Sequence, residues 1–203
     1  MSSLMDSLSQ QIGPDQLKHL SAQLGATPEQ TENAIGMALP TLLGAVARKA
    51  DDDNEIARLH GAIDEHDDDA LDGISGLLGG STQDSPAGAQ ALLGSGGNIL
   101  ESILGGRKTK VESGIGKASG LSGGQVGSLL SMLAPLVIGT IGKKARSGGL
   151  DMGGLAGMLR GEKKEIEQQA TGGLLAGLLD QDGDGDFDFS DVMKIGMKRL
   201  FGK

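Results

Sequence analysis

The sequence predicts an all-α protein, and three observations carry that prediction. Apolar residues recur at helical spacing over two stretches of about twenty residues each. The two stretches align with each other at a constant offset of 95 positions, without a gap. Each is preceded by a glycine stop and a helix start signal, so a short helix and a long one are paired twice. The interior must be aliphatic, because the chain has three Phe and no Trp or Tyr.

The first short helix carries Leu17, Leu20 and Leu24 and ends at Gly25. A long helix follows. Thr27 is its N-cap, Pro28 takes the first helical position, and Gln30 completes a capping box. Ile35, Ala38, Leu39, Leu42 and Val46 line one apolar face. The second copy has a short helix around Val111 to Ser119, ended by Gly120. Ser122 and Gln125 form its capping box, and Leu130, Leu133, Val137 and Ile141 its apolar face. Gly25 matches Gly120, Gln30 matches Gln125, Met37 matches Met132, Pro40 matches Pro135, and Lys49-Ala50 match Lys144-Ala145. A proline inside each long helix is expected to kink or split it.

Between and after these helices run Gly/Leu words: Gly76 to Gly80, Leu92 to Gly94, Ile103 to Gly106, Gly153 to Gly157 and Gly172 to Leu179. They read as short helices or connectors. Glycine weakens a helix by about 1 kcal/mol relative to alanine, so 36 glycines predict a loosely stable protein. Its Leu and Met faces are expected to exceed what such a core covers.

Residues 180–191 read Asp-Gln-Asp-Gly-Asp-Gly-Asp-Phe-Asp-Phe-Ser-Asp. They match the twelve-residue calcium loop at all but its last position. Ca²⁺ takes six to eight oxygens, so several carboxylates must wrap one point. Asp180, Asp182 and Asp184 hold loop positions 1, 3 and 5, and Gly185 makes the sharp turn at position 6. Asp186 offers its backbone carbonyl, Phe187 anchors the loop, and Asp188 coordinates directly or through water. Asp191 closes the loop where the helix-loop-helix family prefers Glu; dockerin-type loops, which this stretch also resembles, usually close with Asp. Six carboxylates this close repel one another unless a cation neutralises them. A second acidic stretch, 64–75, places Asp64, His66 and Asp68 at positions 1, 3 and 5. It has Asp69 at position 6 and Ser75 at position 12, and reads as a decayed loop. The segment from Asp191 to Lys203 forms a helix candidate with Met193, Met197, Leu200 and Phe201 on one face and Lys194, Lys198 and Arg199 away from it.

Several chemistries find no support. Net charge is −9, concentrated in residues 1–100, where 4 Lys/Arg face 15 Asp/Glu; residues 101–203 carry 14 against 12. The acidic half argues against nucleic-acid binding. Without Cys there are no disulfides or thiolate metal sites. The start has no basic n-region followed by an apolar stretch, and the longest apolar run, Leu129 to Ile141, is too short for a bilayer. Gly120-Leu121-Ser122-Gly123-Gly124 fits G-x-S-x-G, but a helix precedes it and Ser122 is a cap. Gly116-Lys117 and Gly142-Lys143 lack the rest of a P-loop. His19, His60 and His66 have no ligand spacing.

The ordered words Leu39-Pro40-x-Leu42-Leu43-Gly44, Ile103-Leu104-Gly105-Gly106-Arg107-Lys108, Ser119-Gly120-Leu121, Leu133-Ala134-Pro135-Leu136 and Leu155-Ala156-Gly157-Met158-Leu159 resemble domain-of-unknown-function family 937, a bacterial family related to the YidB-like proteins. The resemblance spans nearly the whole chain and implies a helical fold, with no activity to carry over. A terminal Asp-rich loop like 180–191 fits it.

The expected architecture is therefore all-α: two duplicated Gly-rich helical-hairpin units with a C-terminal calcium loop of the helix-loop-helix type, EF-hand-like or dockerin-like. The first unit spans 1–80, a flexible joint 81–97, the second unit 98–160 and the calcium segment 161–203. The expected function is a non-enzymatic, cytoplasmic calcium-binding protein that holds Ca²⁺ through Asp180, Asp182, Asp184, Asp186, Asp188 and Asp191. Self-association or an unidentified protein partner is expected, and membrane-surface contact through the C-terminal helix is the less favoured option. The alternative is an adaptor in which calcium is purely structural.

Overall fold

The computed structural model describes residues 3–65 and 96–172, and all its regular elements there are helical. Eight α-helices follow in order: α1 Leu4–Gln11, α2 Pro14–Leu24, α3 Pro28–Lys49, α4 Asp53–Glu65, α5 (96–104), α6 Lys108–Ser119, α7 Gly123–Ser147 and α8 Met152–Gly172. A 3₁₀ turn, Gly105–Arg107, joins α5 to α6.

The starts and stops follow local chemistry. Ser3 caps α1 in a capping box with Asp6, and Thr27 and Ser122 cap α3 and α7 in boxes with Gln30 and Gln125. Each box satisfies two orphan N–H groups of a helix end. Gly25 and Gly120 terminate α2 and α6 at φ 62° and 78°, where a side chain is strained. At the head of α4, one Asp52 carboxylate oxygen accepts the N–H groups of Asn54 and Glu55.

α3 packs against α6, α7 and α8; α7 also packs against α1, α2, α4 and α6. One continuous aliphatic core results, and it includes every apolar-face residue expected for the two long helices. Leu42, Val46, Leu130, Leu133, Val137 and Ile141 are fully buried. α1 contributes Leu4 and Leu8, α4 contributes Ile56, α5 contributes Leu100, and α8 contributes Leu155 and Leu159.

Several details depart from the sequence expectations. α3 and α7 run unbroken through Pro40 and Pro135, so neither proline splits its helix. A helical proline removes one N–H and crowds the carbonyl four residues back; for Pro135 that is Ser131. The backbone of Gly96 lies against that carbonyl, so closely that a Cβ at 96 would collide with it. The Gly153–Gly157 word is no connector but the opening of the 21-residue α8, which runs through residues 160 and 161 without a break. Residues 96 and 97, at the end of the expected joint, are helical. Among the described residues the expected surplus of apolar surface is not seen: Met152 is the one exposed large hydrophobic there. Finally, the apolar run of α7 belongs to a 25-residue helix, long and apolar enough by composition to cross a membrane, with 61% of its most apolar window buried inside the protein.

Candidate functional site

The expected calcium ligands Asp180, Asp182, Asp184, Asp186, Asp188 and Asp191, and the helix candidate after them, lie outside the described residues. In the decayed loop, Asp64 falls in the last turn of α4, and 66–75 lie outside the described residues too. Within the described residues, no group of three His, Asp or Glu side chains gathers where it could hold a metal ion. The described part of α8 reaches Gly172, and the first loop aspartate follows eight residues later along the chain.

The helices that lead toward that loop are anchored by charged side chains of α8. Arg160 donates to the Ala50 carbonyl at 2.8 Å, capping the C-terminus of α3, and to Asp51 at 3.4 Å. Lys163 donates to the other Asp51 oxygen at 3.1 Å. The Lys163 hydrogen bond holds the Asp51 carboxyl below the usual carboxylate range, against a smaller opposing effect of burial. Between them on the sequence, Glu162 turns inward and is buried, only 7% exposed. Its carboxylate accepts the Leu4 N–H at 2.8 Å and lies 3.7 Å from Lys144 Nζ. A carboxylate at the positive end of α1 is favourably placed. One turn of α8 thus ties α1, α3 and α7 together.

A second junction joins the starts of the long helices. Gln30 Nε2 donates to the Gly120 carbonyl at 3.2 Å, and Gln125 Nε2 donates to the Leu24 carbonyl at 2.9 Å. Each glutamine completes its own capping box through Oε1 and reaches across with its amide. Sequence reading found the boxes and missed the crossing. The signal was glutamine in place of glutamate, since only the amide has donors to spare.

Ser122, in the G-x-S-x-G word, donates to Gln125 Oε1 at 2.8 Å and accepts from the Gln125 N–H at 3.3 Å. It is a helix cap. Gly116-Lys117 and Gly142-Lys143 lie inside α6 and α7, where no phosphate-cradling loop exists. A shallow groove of about 440 Å³ runs along α6 over Glu112, Gly116, Lys117 and Gly120.

Among the described residues, the fold and these sites define a helical protein with an aliphatic interior. The chain belongs to a bacterial family: residues 6–144 match the model of the bacterial protein of unknown function DUF937. No curated protein and no solved structure matches the chain.

Proposed function

We propose that this is a non-enzymatic, calcium-binding bacterial protein whose described helices form two related units carrying a C-terminal calcium loop. The observation that carries the reading is the loop itself, Asp180 to Asp191. Alternating aspartates, Gly185 at the turn and Phe187 at the anchor meet the requirements of a site of six to eight oxygens. Closure by Asp191 rather than Glu sets a moderate affinity, on the order of 10⁻⁶ to 10⁻⁴ M. α8, the last described helix before that loop, is held to three other helices. Self-association is part of the proposal, with a symmetric dimer as its simplest form.

The two-unit reading is supported by the paired capping boxes, the left-handed glycines 25 and 120, and the reciprocal reach of Gln30 and Gln125. Calorimetric titration of the full chain tests the function. One calcium per chain is expected, and the absence of any heat at millimolar calcium overturns the proposal. If binding raises only the melting temperature and uncovers no apolar surface, the ion is structural and the chain is an adaptor.

A further inference from the structure

We propose that α1 is a strap that swings off the helical body about Ile12 and Gly13 while α2, α3, α6 and α7 stay packed, uncovering the face of α7 that carries Thr140. Its hold is narrow. α1 has eight residues, and a helix that short is marginal on its own, so it persists by docking. It packs on α7 and α3 and brings Leu4 and Leu8 as its fully buried residues; α3 and α7 each bury several times as many. Its long-range hydrogen bonds sit at its two ends. The Leu4 N–H donates to Glu162 at 2.8 Å, and Gln11 Nε2 donates to Thr140 Oγ1 at 3.0 Å.

Neither anchor depends on α1. Glu162 has Lys144 Nζ at 3.7 Å, and the Thr140 hydroxyl donates to the Leu136 carbonyl at 2.8 Å. Both side chains keep a partner when α1 leaves. The donors that lose one, the Leu4 N–H and the Gln11 amide, pass into water with the strap. A buried polar group stranded without a partner is the usual penalty of a broken contact, and here none is stranded. The capping box between Ser3 and Asp6 is local and travels with α1. The joint is equally undemanding: Ile12 leaves helical geometry at φ −101° and ψ 79°, and Gly13 caps α2 without a side-chain bond that rotation would break. Hinges are a few such residues at element ends. The helices beneath are held differently. Gln30 ties α3 to the end of α6, and Gln125 ties α7 to the end of α2, so those four are cross-linked twice.

Amide exchange of the folded full chain tests the strap. The α1 amides are expected to exchange faster than the slowest amides of α3 and α7, as a unit that opens without global unfolding. Two kinds of variant separate local opening from global unfolding. Gln11→Ala removes one anchor and should speed α1 by about two- to tenfold. Gln125→Glu disturbs a junction that α1 does not touch; it should shift the slowest amides of α3 and α7 by about fivefold and leave α1 unchanged. An α1 that shifts together with α3 and α7 in Gln125→Glu opens only when the whole protein unfolds, and that result overturns the strap. Exchange in α1 that ignores both Gln11→Ala and Glu162→Ala overturns it as well. Gln30→Glu takes the place of Gln125→Glu should that variant fail to fold.

Discussion

Leu4 and Glu162 stand 158 positions apart, yet the N–H of one meets the carboxylate of the other at 2.8 Å. The first amide of the first helix is satisfied by the last long helix described. Glu162→Ala leaves that buried amide without its acceptor and is expected to cost about 1–3 kcal/mol. Glu162→Gln keeps an acceptor and loses only the charge shared with Lys144, so its loss should be smaller. Urea denaturation of both variants checks this, and equal losses would show that the amide bond contributes nothing.

The capping glutamines permit a sharper substitution. Gln125→Glu preserves the capping box, which uses Oε1, but removes the donor to the Leu24 carbonyl. An acidic residue in the first turn ordinarily stabilises a helix by about 0.3–1 kcal/mol. Here it faces a carbonyl oxygen, so a net destabilisation of about 1 kcal/mol is expected instead. Gln30→Glu should act likewise through Gly120. A thermal melt showing either variant more stable than the parent would remove the crossing bonds from the account.

Gly96 has no room for a methyl group, since the Ser131 carbonyl fills its Cβ position and Pro135 Cδ lies 3.5 Å away. Gly96→Ala should destabilise by about 1–3 kcal/mol, the usual range for overpacking. Gly36→Ala, in α3 with open space around its Cβ position, should gain up to about 1 kcal/mol. A chemical melt that ranks the two alike would refute the packing argument.

Local signals made the two central hairpins legible. Thr27, Ser122, Gly25 and Gly120 mark helix ends through bonds to neighbours a few residues away, and such bonds are written in sequence order. What lay hidden was α8. Glycines at 153, 154, 157 and 161 argue against a long helix by propensity, but Leu155, Ala156 and Leu159 bury one face and the tertiary gain outweighs the local cost. The Glu162 contact was equally hidden, because nothing near residue 162 announces an amide at residue 4. At the candidate calcium loop the position is reversed: the ligand pattern is legible in sequence, and its residues lie outside the described structure.

Stability should fall in acid through two carboxylates beside α4. Asp51 is held below the usual range by its hydrogen bond to Lys163 and by Arg160, and Glu55 by its hydrogen bond to Lys49. A carboxyl with a depressed folded pKa stabilises the fold above its unfolded value, near pH 4, and loses that contribution as pH falls through the folded value. Both groups are solvent-accessible, so the effect is modest and salt-sensitive. Melts between pH 5 and pH 2 should show a shallower loss for Asp51→Asn than for the parent. Identical slopes would sink the assignment.

Calcium binding should vanish on one substitution and ignore another. Asp180→Ala removes the first ligand of the C-terminal loop and is expected to abolish the titration heat. Asp64→Ala should leave it unchanged, because His66 stands where the decayed loop needs an acid at position 3. A surviving signal in Asp180→Ala, lost only when Asp64 is also replaced, would move the site to residues 64–75.

The aliphatic core has a spectroscopic consequence. Every benzenoid ring in the protein belongs to Phe187, Phe189 or Phe201, and none lies in the described helices. With no Trp, Tyr or Cys, those helices are transparent in the near ultraviolet. Any phenylalanine absorption or dichroism band must therefore originate at residues 187–201, among and after the aspartates. The unmodified protein carries its own reporter for that stretch, read against a silent background and without a label.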